Sequence, residues 1–311
     1  MFSSENAIQK NVDYITKSHL RNVMQLAIFQ TGEGEVYAIN ISKILTFLIK
    51  DNIEITRTPS ADKVVHGVIN LRGEFITVVN LDNWIGANVD DDSIYKIIIV
   101  CNYNDKKIGI LVKDIIKIEE KNSSDLKLPS GNDPKVSYVT DVIIDNKDKT
   151  CIIFDAEKLL SDINVIKGDG TTIYDIGKMD KFPPINSNKI LLVAEDSKIV
   201  TEKLDEFFKS IGIKYEIFSN GMLLLDKLRT HHIYEIGLIV TDIEMPVKNG
   251  YQVIKHLKND PIYKYIPIVA LTSMTNRGVN DKILKLGALD LINKADMSKL
   301  YYYVKKYLEM E

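Results

Sequence analysis

From residue 189 to residue 311 the chain alternates short apolar runs with helical segments, and this alternation strongly limits the possible folds. Five runs, each long enough for one strand, lie at residues 189–194, 214–218, 236–241, 266–271 and 288–292. Helical periodicity follows each run, at residues 199–210, 222–229, 251–259, 277–286 and 297–309. Repeated strand–helix units of this kind predict a five-stranded parallel sheet in an α/β fold, with helices on both faces.

Acidic residues stand where two of these apolar runs end. Asp242 closes the third run, and Glu195 and Asp196 close the first. A carboxylate at the end of an apolar strand costs free energy to place unless it has a partner or a role. Because the carboxyl ends of parallel strands meet at one edge of the sheet, the three acids should gather there. A hard divalent cation would relieve their mutual repulsion.

Two more polar groups follow the remaining strands at the same edge. Thr272 ends the fourth run, and Lys294 follows the fifth. Acids that can hold Mg²⁺, a hydroxyl donor and one ammonium group together suit an acyl phosphate. In this hypothesis Asp242 is the nucleophile, and Mg²⁺ and Lys294 neutralise the phosphoryl oxygens.

Residues 189–311 resemble a response-regulator receiver domain, which has the CheY-like, flavodoxin-like fold. The resemblance rests on the acidic pair, on the segment Asp242-x-x-Met-Pro-x-x-x-Gly250, on Thr272 and on Lys294. These pieces occur in the family's order and at the family's spacing, over essentially the whole segment.

This resemblance assigns roles to the residues at the sheet edge. It implies that Asp196 and Asp242 bind Mg²⁺ together with the backbone carbonyl of Glu244, and that Glu195 assists. It also implies that Asp242 accepts a phosphoryl group from a phosphohistidine on a partner kinase. Thr272 would then contact the phosphoryl group and shift with it.

Two positions depart from the family pattern. Ala295 follows Lys294 where the family usually has proline, often after a cis bond, and a cis bond to alanine would cost about 3–4 kcal/mol. We therefore expect a trans bond or local strain there. Leu291 occupies a position that is often Tyr or Phe, so the rotation of an aromatic ring cannot be the output signal.

Each of these residues by itself has a simpler explanation. A lone Asp242 would usually be a helix cap or a turn residue, and a lone Lys294 a solvated charge. Haloacid-dehalogenase phosphatases also place an Asp nucleophile after a strand, but they need a second Asp where this chain has Glu244. The joint pattern favours the receiver.

Residues 20 to 160 are rich in β-strand patterns instead. Pairs of apolar runs flank turn-like stretches at residues 23–30 and 36–40, 64–70 and 75–81, 97–101 and 108–112, and 139–144 and 151–154. Four hairpins in series predict an antiparallel barrel or a pair of small barrels, with a helical turn or two after the last hairpin. Residues 164–188 carry Gly, Pro and polar residues and are predicted to form a linker.

Composition disfavours several classes of protein. The formal net charge is −3, so no basic tract indicates nucleic acid as a partner. No run of about 20 apolar residues predicts a transmembrane span, and the N-terminus lacks the pattern of a signal peptide. Cys101 and Cys151 lie in β-like runs and are predicted to be buried free thiols in a reducing cytoplasm.

The N-terminal half carries no catalytic set. His19 and His66 are isolated, and its Ser, Cys and His residues form no nucleophile signature, so binding is the better expectation. Arg72-Gly73 stands at a turn between two apolar strands. Gly73 would supply a positive φ there, and Arg72 is either a solvated tip or a binding residue.

Residues 20–163 resemble the CheW-like coupling domain, an all-β fold of two small five-stranded barrels. The resemblance rests on Gly67-x-x-Asn70-x-Arg72-Gly73, on the opening hairpin at residues 24–39 and on the strand at residues 108–115. It implies binding to chemoreceptor tips and to the chemotaxis histidine kinase, with Arg72 and Gly73 near that surface.

A coupling domain at 20–163, a linker at 164–188 and a receiver at 189–311 form the arrangement of CheV-type chemotaxis proteins. The resemblance implies a cytoplasmic, phosphorylatable adaptor of receptor arrays that serves adaptation or acts as a phosphate sink, with Mg²⁺ as its cofactor. It implies neither an enzyme nor a membrane-inserted protein. The alternative is a two-component response regulator with a different, protein-binding output. A DNA-binding or catalytic output is disfavoured because the N-terminal half shows no helix-turn-helix and no active site.

Overall fold

The computed structural model describes residues 23–58, 63–87, 89, 91–103, 106–129, 133–166, 182–273 and 277–309. The chain forms two compact units, whose described residues run from 24 to 166 and from 182 to 309. His19 and residues 167–181 of the predicted linker lie outside the described residues, so the domain boundaries stay a prediction. Within the described ranges no helix is both long enough and apolar enough to cross a membrane.

The described part of the N-terminal unit contains ten strands and two α-helices. The strands are β1 (Val23–Gln30), β2 (Val36–Asn40), β3 (Ile44–Ile49), β4 (Val65–Leu71), β5 (Glu74–Asn80), β6 (Ile97–Tyr103), β7 (Lys106–Val112), β8 (Asp114–Asn122), β9 (Val136–Ile144) and β10 (Lys147–Phe154). The helices are α1 (Leu81–Ile85) and α2 (Ala156–Ile166). Two five-stranded sheets result, in the orders β8-β1-β2-β10-β9 and β3-β6-β7-β5-β4.

All four predicted hairpins are confirmed, as the antiparallel pairs β1–β2, β4–β5, β6–β7 and β9–β10. The helix after the last hairpin is also confirmed, and α2 is longer than the predicted turn or two. The prediction missed β3 and β8. Both have strand patterns, but each pairs with a strand far away in the sequence, so no adjacent hairpin partner marks them.

Lysine side chains bridge the two edge strands of the first sheet. Lys117 and Lys121 of β8 donate from Nζ to the backbone carbonyls of Ile143 and Asp141 in β9, over 2.8 and 2.7 Å. Glu119 lies between both ammonium groups, at 2.7 and 2.8 Å. These bonds cover backbone groups that an edge strand would otherwise leave unpaired, as expected for a small barrel.

The two cysteines lie within the cores of these sheets. Cys101 and Cys151 are free and buried, as predicted. Burial raises the pKa of both thiols, that of Cys151 to about 12, so neither forms an appreciable amount of thiolate at neutral pH.

The C-terminal unit alternates strands and helices, as predicted. Its strands are β11 (Ile190–Ala194), β12 (Lys214–Phe218), β13 (Ile236–Asp242), β14 (Ile268–Thr272) and β15 (Asp290–Asn293). Its helices are α3 (Lys198–Ser210), α4 (Gly221–Leu228), α5 (Gly250–Asn259), α6 (Arg277–Lys285) and α7 (Met297–Leu308). The strands form one parallel sheet in the order β12-β11-β13-β14-β15. Every residue of β13, the central strand, is buried, which explains why its sequence reads as a continuous apolar run.

Helix starts at the carboxyl edge of this sheet are fixed by local caps. Ser197 and Asn249 accept backbone N–H groups in the first turns of α3 and α5. Gly250 opens α5 at a position where a Cβ atom would lie 2.2 Å from the backbone oxygen of Asp242. Only glycine allows this approach, so the Gly at the end of the acidic segment is a packing requirement.

Candidate functional site

The strand register brings the predicted site residues to one edge of the parallel sheet. Ala194 pairs with Thr241, which places Glu195 beside Asp242. Asp242 pairs with Leu271, so the next residue, Thr272, also reaches this edge. Lys294 follows β15 directly, and its N–H donates to the carbonyl of Thr272 at 2.8 Å.

Lys294 bridges two of the carboxylates. Its Nζ lies 2.8 Å from Glu195 Oε1 and 3.1 Å from Asp242 Oδ2. Lys294, Glu195 and Asp242 are only 3, 1 and 3 % exposed. Buried charges of this kind are tolerated only when paired, so the ammonium group compensates part of the acidic charge.

The acidic residues form a set of oxygen ligands. Carboxylate oxygens of Glu195, Asp196 and Asp242 lie within 4.8 Å of one another. Three carboxylates and one ammonium group leave two negative charges uncompensated, the charge that one divalent cation carries. Oxygen-only donors suit Mg²⁺. The residues present therefore fit a divalent cation at this edge.

The loop after β13 holds Asp242 in place. The backbone N–H of Glu244 donates to Asp242 Oδ1 at 3.3 Å. Val247, in the same loop, has a φ of 63°, a left-handed conformation that β-branched residues rarely adopt. Such strain is often stored at functional sites. This left-handed conformation could not be predicted from the sequence, because valine disfavours it.

A further contact at the site was missed because it uses the backbone. The N–H of Ser197 donates to Glu195 Oε1 at 3.1 Å, while the Ser197 side chain caps α3. The acidic Glu195 is therefore held by both the helix start and Lys294. A Ser directly after the acidic pair was the sequence signal that could have revealed it.

Both departures from the receiver pattern are accommodated. The peptide bond between Lys294 and Ala295 is trans. The N–H of Ala295, which a proline would lack, donates to Asn293 Oδ1 at 2.8 Å. Leu291 is buried in the core cluster beneath the sheet and packs as an ordinary aliphatic side chain.

A second candidate site surrounds Arg72 in the N-terminal unit. Arg72 and Gly73 form the two-residue loop between β4 and β5, with φ angles of 56° and 89°. Positive φ at both loop positions is the mark of a type I′ turn, which favours Asn, Asp and Gly. The matching loop between β9 and β10 uses Asp145 and Asn146, which suit this turn. Arg72 is conformationally the costlier choice, which favours a role for its side chain over a purely structural one.

A pocket of about 460 Å³ lies beside this turn. Its lining combines mostly apolar residues of β3 and β4 with three charged residues: Leu45, Thr46, Leu48, Leu71, Arg72, Glu74 and Lys107. Glu74 and Lys107 form an ion pair. Sequence reasoning missed this pocket because it depends on β3, whose non-local pairing was not predicted. Two exposed aromatic rings, Phe47 and Phe75, lie on the strands that line it.

His66 stands apart from both sites. Its side chain is mostly buried, and its Nε2 lies 3.8 Å from Asp92 Oδ2. Burial lowers the pKa of His66, because an imidazolium is costly away from water. These surroundings fit a packing residue.

Comparison with known proteins identifies both units. Residues 25–164 match the family model of the CheW-like domain, and residues 191–305 match that of the response regulator receiver domain. Chemotaxis protein CheV2 of Helicobacter pylori is 27% identical over 319 residues, which cover 96% of this chain and 99% of the relative. Chemotaxis protein CheV1 of the same organism is 29% identical over 325 residues, which cover 96% and 98%. Chemotaxis protein CheW of Thermotoga maritima is 31% identical over 143 residues, which cover 44% of this chain and 93% of the relative.

Proposed function

Because the chain belongs to the CheV-type chemotaxis proteins, a CheW-like domain followed by a receiver domain, we propose that it is an adaptor whose coupling is controlled by phosphorylation of Asp242. In this proposal the CheW-like domain docks on chemoreceptors and on the chemotaxis histidine kinase. The receiver accepts a phosphoryl group from that kinase. The chain acts in the cytoplasm at receptor arrays, as an adaptor and not as an enzyme with an external substrate.

The single observation that carries the phosphorylation proposal is the contact of Lys294 with Asp242 inside a buried acidic cluster. In the transfer, a carboxylate oxygen of Asp242 forms a bond to phosphorus while the N–P bond of the phosphohistidine breaks. The imidazole nitrogen that leaves takes up a proton. In this proposal Lys294 donates to one phosphoryl oxygen, and Thr272, at the same edge of the sheet, contacts another.

Asp196, Asp242 and the Glu244 carbonyl are the groups that would hold Mg²⁺, with Glu195 beside them. A bound Mg²⁺ supplies positive charge that offsets the phosphoryl oxygens during transfer. Without it, only Lys294 among these residues carries positive charge toward the incoming group. We therefore expect transfer to depend on Mg²⁺.

Substitution of the acceptor tests the proposal directly. We expect Asp242→Asn to abolish incorporation of label from acetyl phosphate or from phosphorylated kinase in Mg²⁺, because an amide is no nucleophile toward phosphorus at neutral pH. Asp226→Asn, at an exposed position on α4, is the matched control and should label normally. Labelling of the Asp242→Asn protein at the wild-type level would refute the proposal.

The pocket at Arg72 supports docking by the CheW-like domain. An arginine next to a partly apolar pocket is the kind of residue that dominates protein interfaces. The lining combines leucine side chains with Arg72, whose positive charge is left over once Lys107 pairs with Glu74, so the pocket suits an apolar side chain flanked by an acidic group. We propose that the receptor or the kinase supplies this chemistry.

Arg72→Asn separates docking from folding. Asn adopts positive φ more readily than Arg, so we expect unchanged or slightly higher stability of the N-terminal unit. Affinity for receptor fragment and kinase should fall about tenfold or more, as for the loss of an interface hot spot. Lys147→Ala, beside the corresponding turn, is the control. Full affinity of the Arg72→Asn protein would remove Arg72 from the interface.

The effect of phosphorylation on coupling can be read in reconstituted receptor arrays. Kinase activity would be compared between the wild-type chain and Asp242→Asn, at equal occupancy of the array. A difference in activity per bound adaptor indicates feedback on coupling. Equal activity, combined with faster loss of phosphoryl groups from the kinase in the wild type, indicates a phosphate sink.

A further inference from the structure

Residues 182–188, which we call the strap, lie along two helices of the receiver before β11 begins. The Phe182 ring packs against Phe207 of α3, with ring centroids 5.6 Å apart, and against Tyr301 of α7, with centroids 4.7 Å apart. Ile185 is buried. The end of the predicted linker is thus packed onto the receiver.

Hydrogen bonds fasten the strap to the same two helices. The Tyr301 hydroxyl donates to the carbonyl of Pro183 at 2.9 Å, and the Ser187 hydroxyl donates to the carbonyl of Leu308 at 2.6 Å. The backbone N–H of Ile185 donates to the carbonyl of Ile211, just after α3, at 2.9 Å. Two of these three bonds end on α7.

The other end of α7 is tied to the phosphorylation site. Lys294, which contacts both Asp242 and Glu195, lies three residues before Met297, where α7 begins. Asp296 caps the helix by accepting the N–H of Lys299 at 2.9 Å. Hence only two residues, Ala295 and Asp296, separate Lys294 from the first residue of α7.

We propose that the strap reports the phosphorylation state of Asp242: phosphorylation shifts α7 through Lys294 and loosens the bonds from Tyr301 and Leu308 to the strap. This inference rests on the proposed function. It provides a route for the phosphorylation signal that needs no aromatic side chain at position 291, which is leucine in this chain. Since the strap continues directly into the chain that leads to the CheW-like domain, its release changes the tether between the two domains.

The driving force is the change in charge at the acidic edge. A phosphoryl group on Asp242 brings new anionic oxygens, and they compete with Glu195 for the ammonium group of Lys294. Small shifts of a packed helix, on the order of 1–2 Å, are typical of such switches. A displacement of α7 by that distance away from the strap breaks the two hydrogen bonds of 2.6 and 2.9 Å.

Hydrogen exchange of the full-length chain tests the loosening. Beryllium trifluoride with Mg²⁺ serves as a stable mimic of the phosphoryl group. We expect the Ile185 amide to exchange about fivefold faster or more when the mimic is bound, the lower end of typical coupling between sites. Unchanged exchange with the mimic bound would overturn the inference.

A second test measures how strongly strap variants bind the mimic, because two coupled equilibria must affect each other equally. If the mimic loosens the strap, a variant with a weakened strap must bind the mimic more tightly. We expect Tyr301→Phe and Ser187→Ala each to bind it several-fold more tightly than the wild type. Tyr302→Phe is the matched control, since it removes a hydroxyl from the neighbouring, exposed tyrosine of the same helix.

The outcomes distinguish this inference from the proposed function. If the mimic binds but Tyr301→Phe and Ser187→Ala behave like Tyr302→Phe, the strap is a passive part of the fold and the inference is wrong. If the wild-type chain neither binds the mimic nor takes label on Asp242, the proposed function fails, and the inference fails with it.

Discussion

Two lysines of the receiver are withdrawn from water, but only one of them has carboxylate partners that compensate its charge. Lys294 is buried but paired with two carboxylates, so its charge is compensated. Lys282 lies on α6 with its Nζ 4.1 Å from the centroid of the Tyr251 ring. Burial lowers the pKa of Lys282 from 10.5 to about 8, because the ring replaces only part of the lost hydration.

The lowered pKa of Lys282 predicts how this one residue contributes to the pH dependence of receiver stability. Between about pH 8 and 10.5 the unfolded chain binds more protons at this residue than the folded chain. The contribution of Lys282 to stability must therefore rise with pH across that window, as the cost of burying the ammonium group disappears. We expect the wild type to gain free energy of unfolding relative to Lys282→Met as the pH rises, measured by urea titration.

Lys285→Met, at an exposed position of the same helix, is the control for this measurement. Its free energy of unfolding should change with pH in the same way as that of the wild type over this window. If the free energy of unfolding of Lys282→Met also changed with pH like that of the wild type, the Lys282 ammonium group would be fully hydrated in the folded state.

Elements of the N-terminal unit are joined by a buried polar network around Asp82 at the start of α1. The Asp82 side chain is fully buried and accepts from the N–H groups of Gly32 and Glu33, at 2.9 and 3.3 Å. It also accepts from the hydroxyl of Tyr95 at 3.0 Å. Because Gly32 and Glu33 belong to the β1–β2 turn, this carboxylate ties one sheet to the helix that follows β5 of the other.

Removal of this carboxylate should destabilise the N-terminal unit. Asp82→Ala removes the acceptor of two backbone N–H groups in the partly exposed β1–β2 turn and one of the two acceptors of the buried Tyr95 hydroxyl, so we expect a loss of about 2 kcal/mol. Tyr95→Phe removes one of the three bonds to Asp82, together with the 3.1 Å contact of the same hydroxyl with Asn80 Oδ1, and should cost about 1 kcal/mol. Chemical denaturation followed by tryptophan fluorescence measures both. Equal stability of Asp82→Ala and wild type would contradict the assigned role.

At the scale of the whole molecule, the two units differ in ways that allow each to be followed separately. Trp84, the single tryptophan of the chain, is buried in the N-terminal unit. Five of the seven described α-helices lie in the receiver, which therefore dominates the helical circular dichroism. Each unit has its own hydrophobic core.

Mg²⁺ should stabilise only one of these units. At a concentration tenfold above its Kd, Mg²⁺ adds about 1.4 kcal/mol to the stability of a domain that binds it only when folded. We expect the thermal transition seen by circular dichroism to move up by a few degrees while the Trp84 fluorescence transition stays in place. In the Asp196→Asn protein, Mg²⁺ should no longer raise the temperature of the circular dichroism transition. A shift in the Trp84 transition of equal size would contradict separate units.

The repeating strand–helix pattern was enough to predict the receiver almost completely. Parallel strands buried on both faces read as unbroken apolar runs, and β13 shows this for every residue. The four hairpins could be predicted equally well from the sequence, because each joins neighbouring segments through a short turn. Local signals fail for β3 and β8, since their partners lie far away in the sequence and the pairing free energy comes only after the chain has folded.

The sequence by itself determined the two fold classes, all-β and α/β, and the residues that close the strands of the receiver, because period, turn chemistry and strand-end acids are local properties. Tertiary structure alone decided that Lys294 bridges Glu195 and Asp242, that a pocket opens beside Arg72, and that the strap is fastened to α7. Each of these depends on distances between segments that are remote in the chain. Such distances are set by register and packing, which no local pattern encodes.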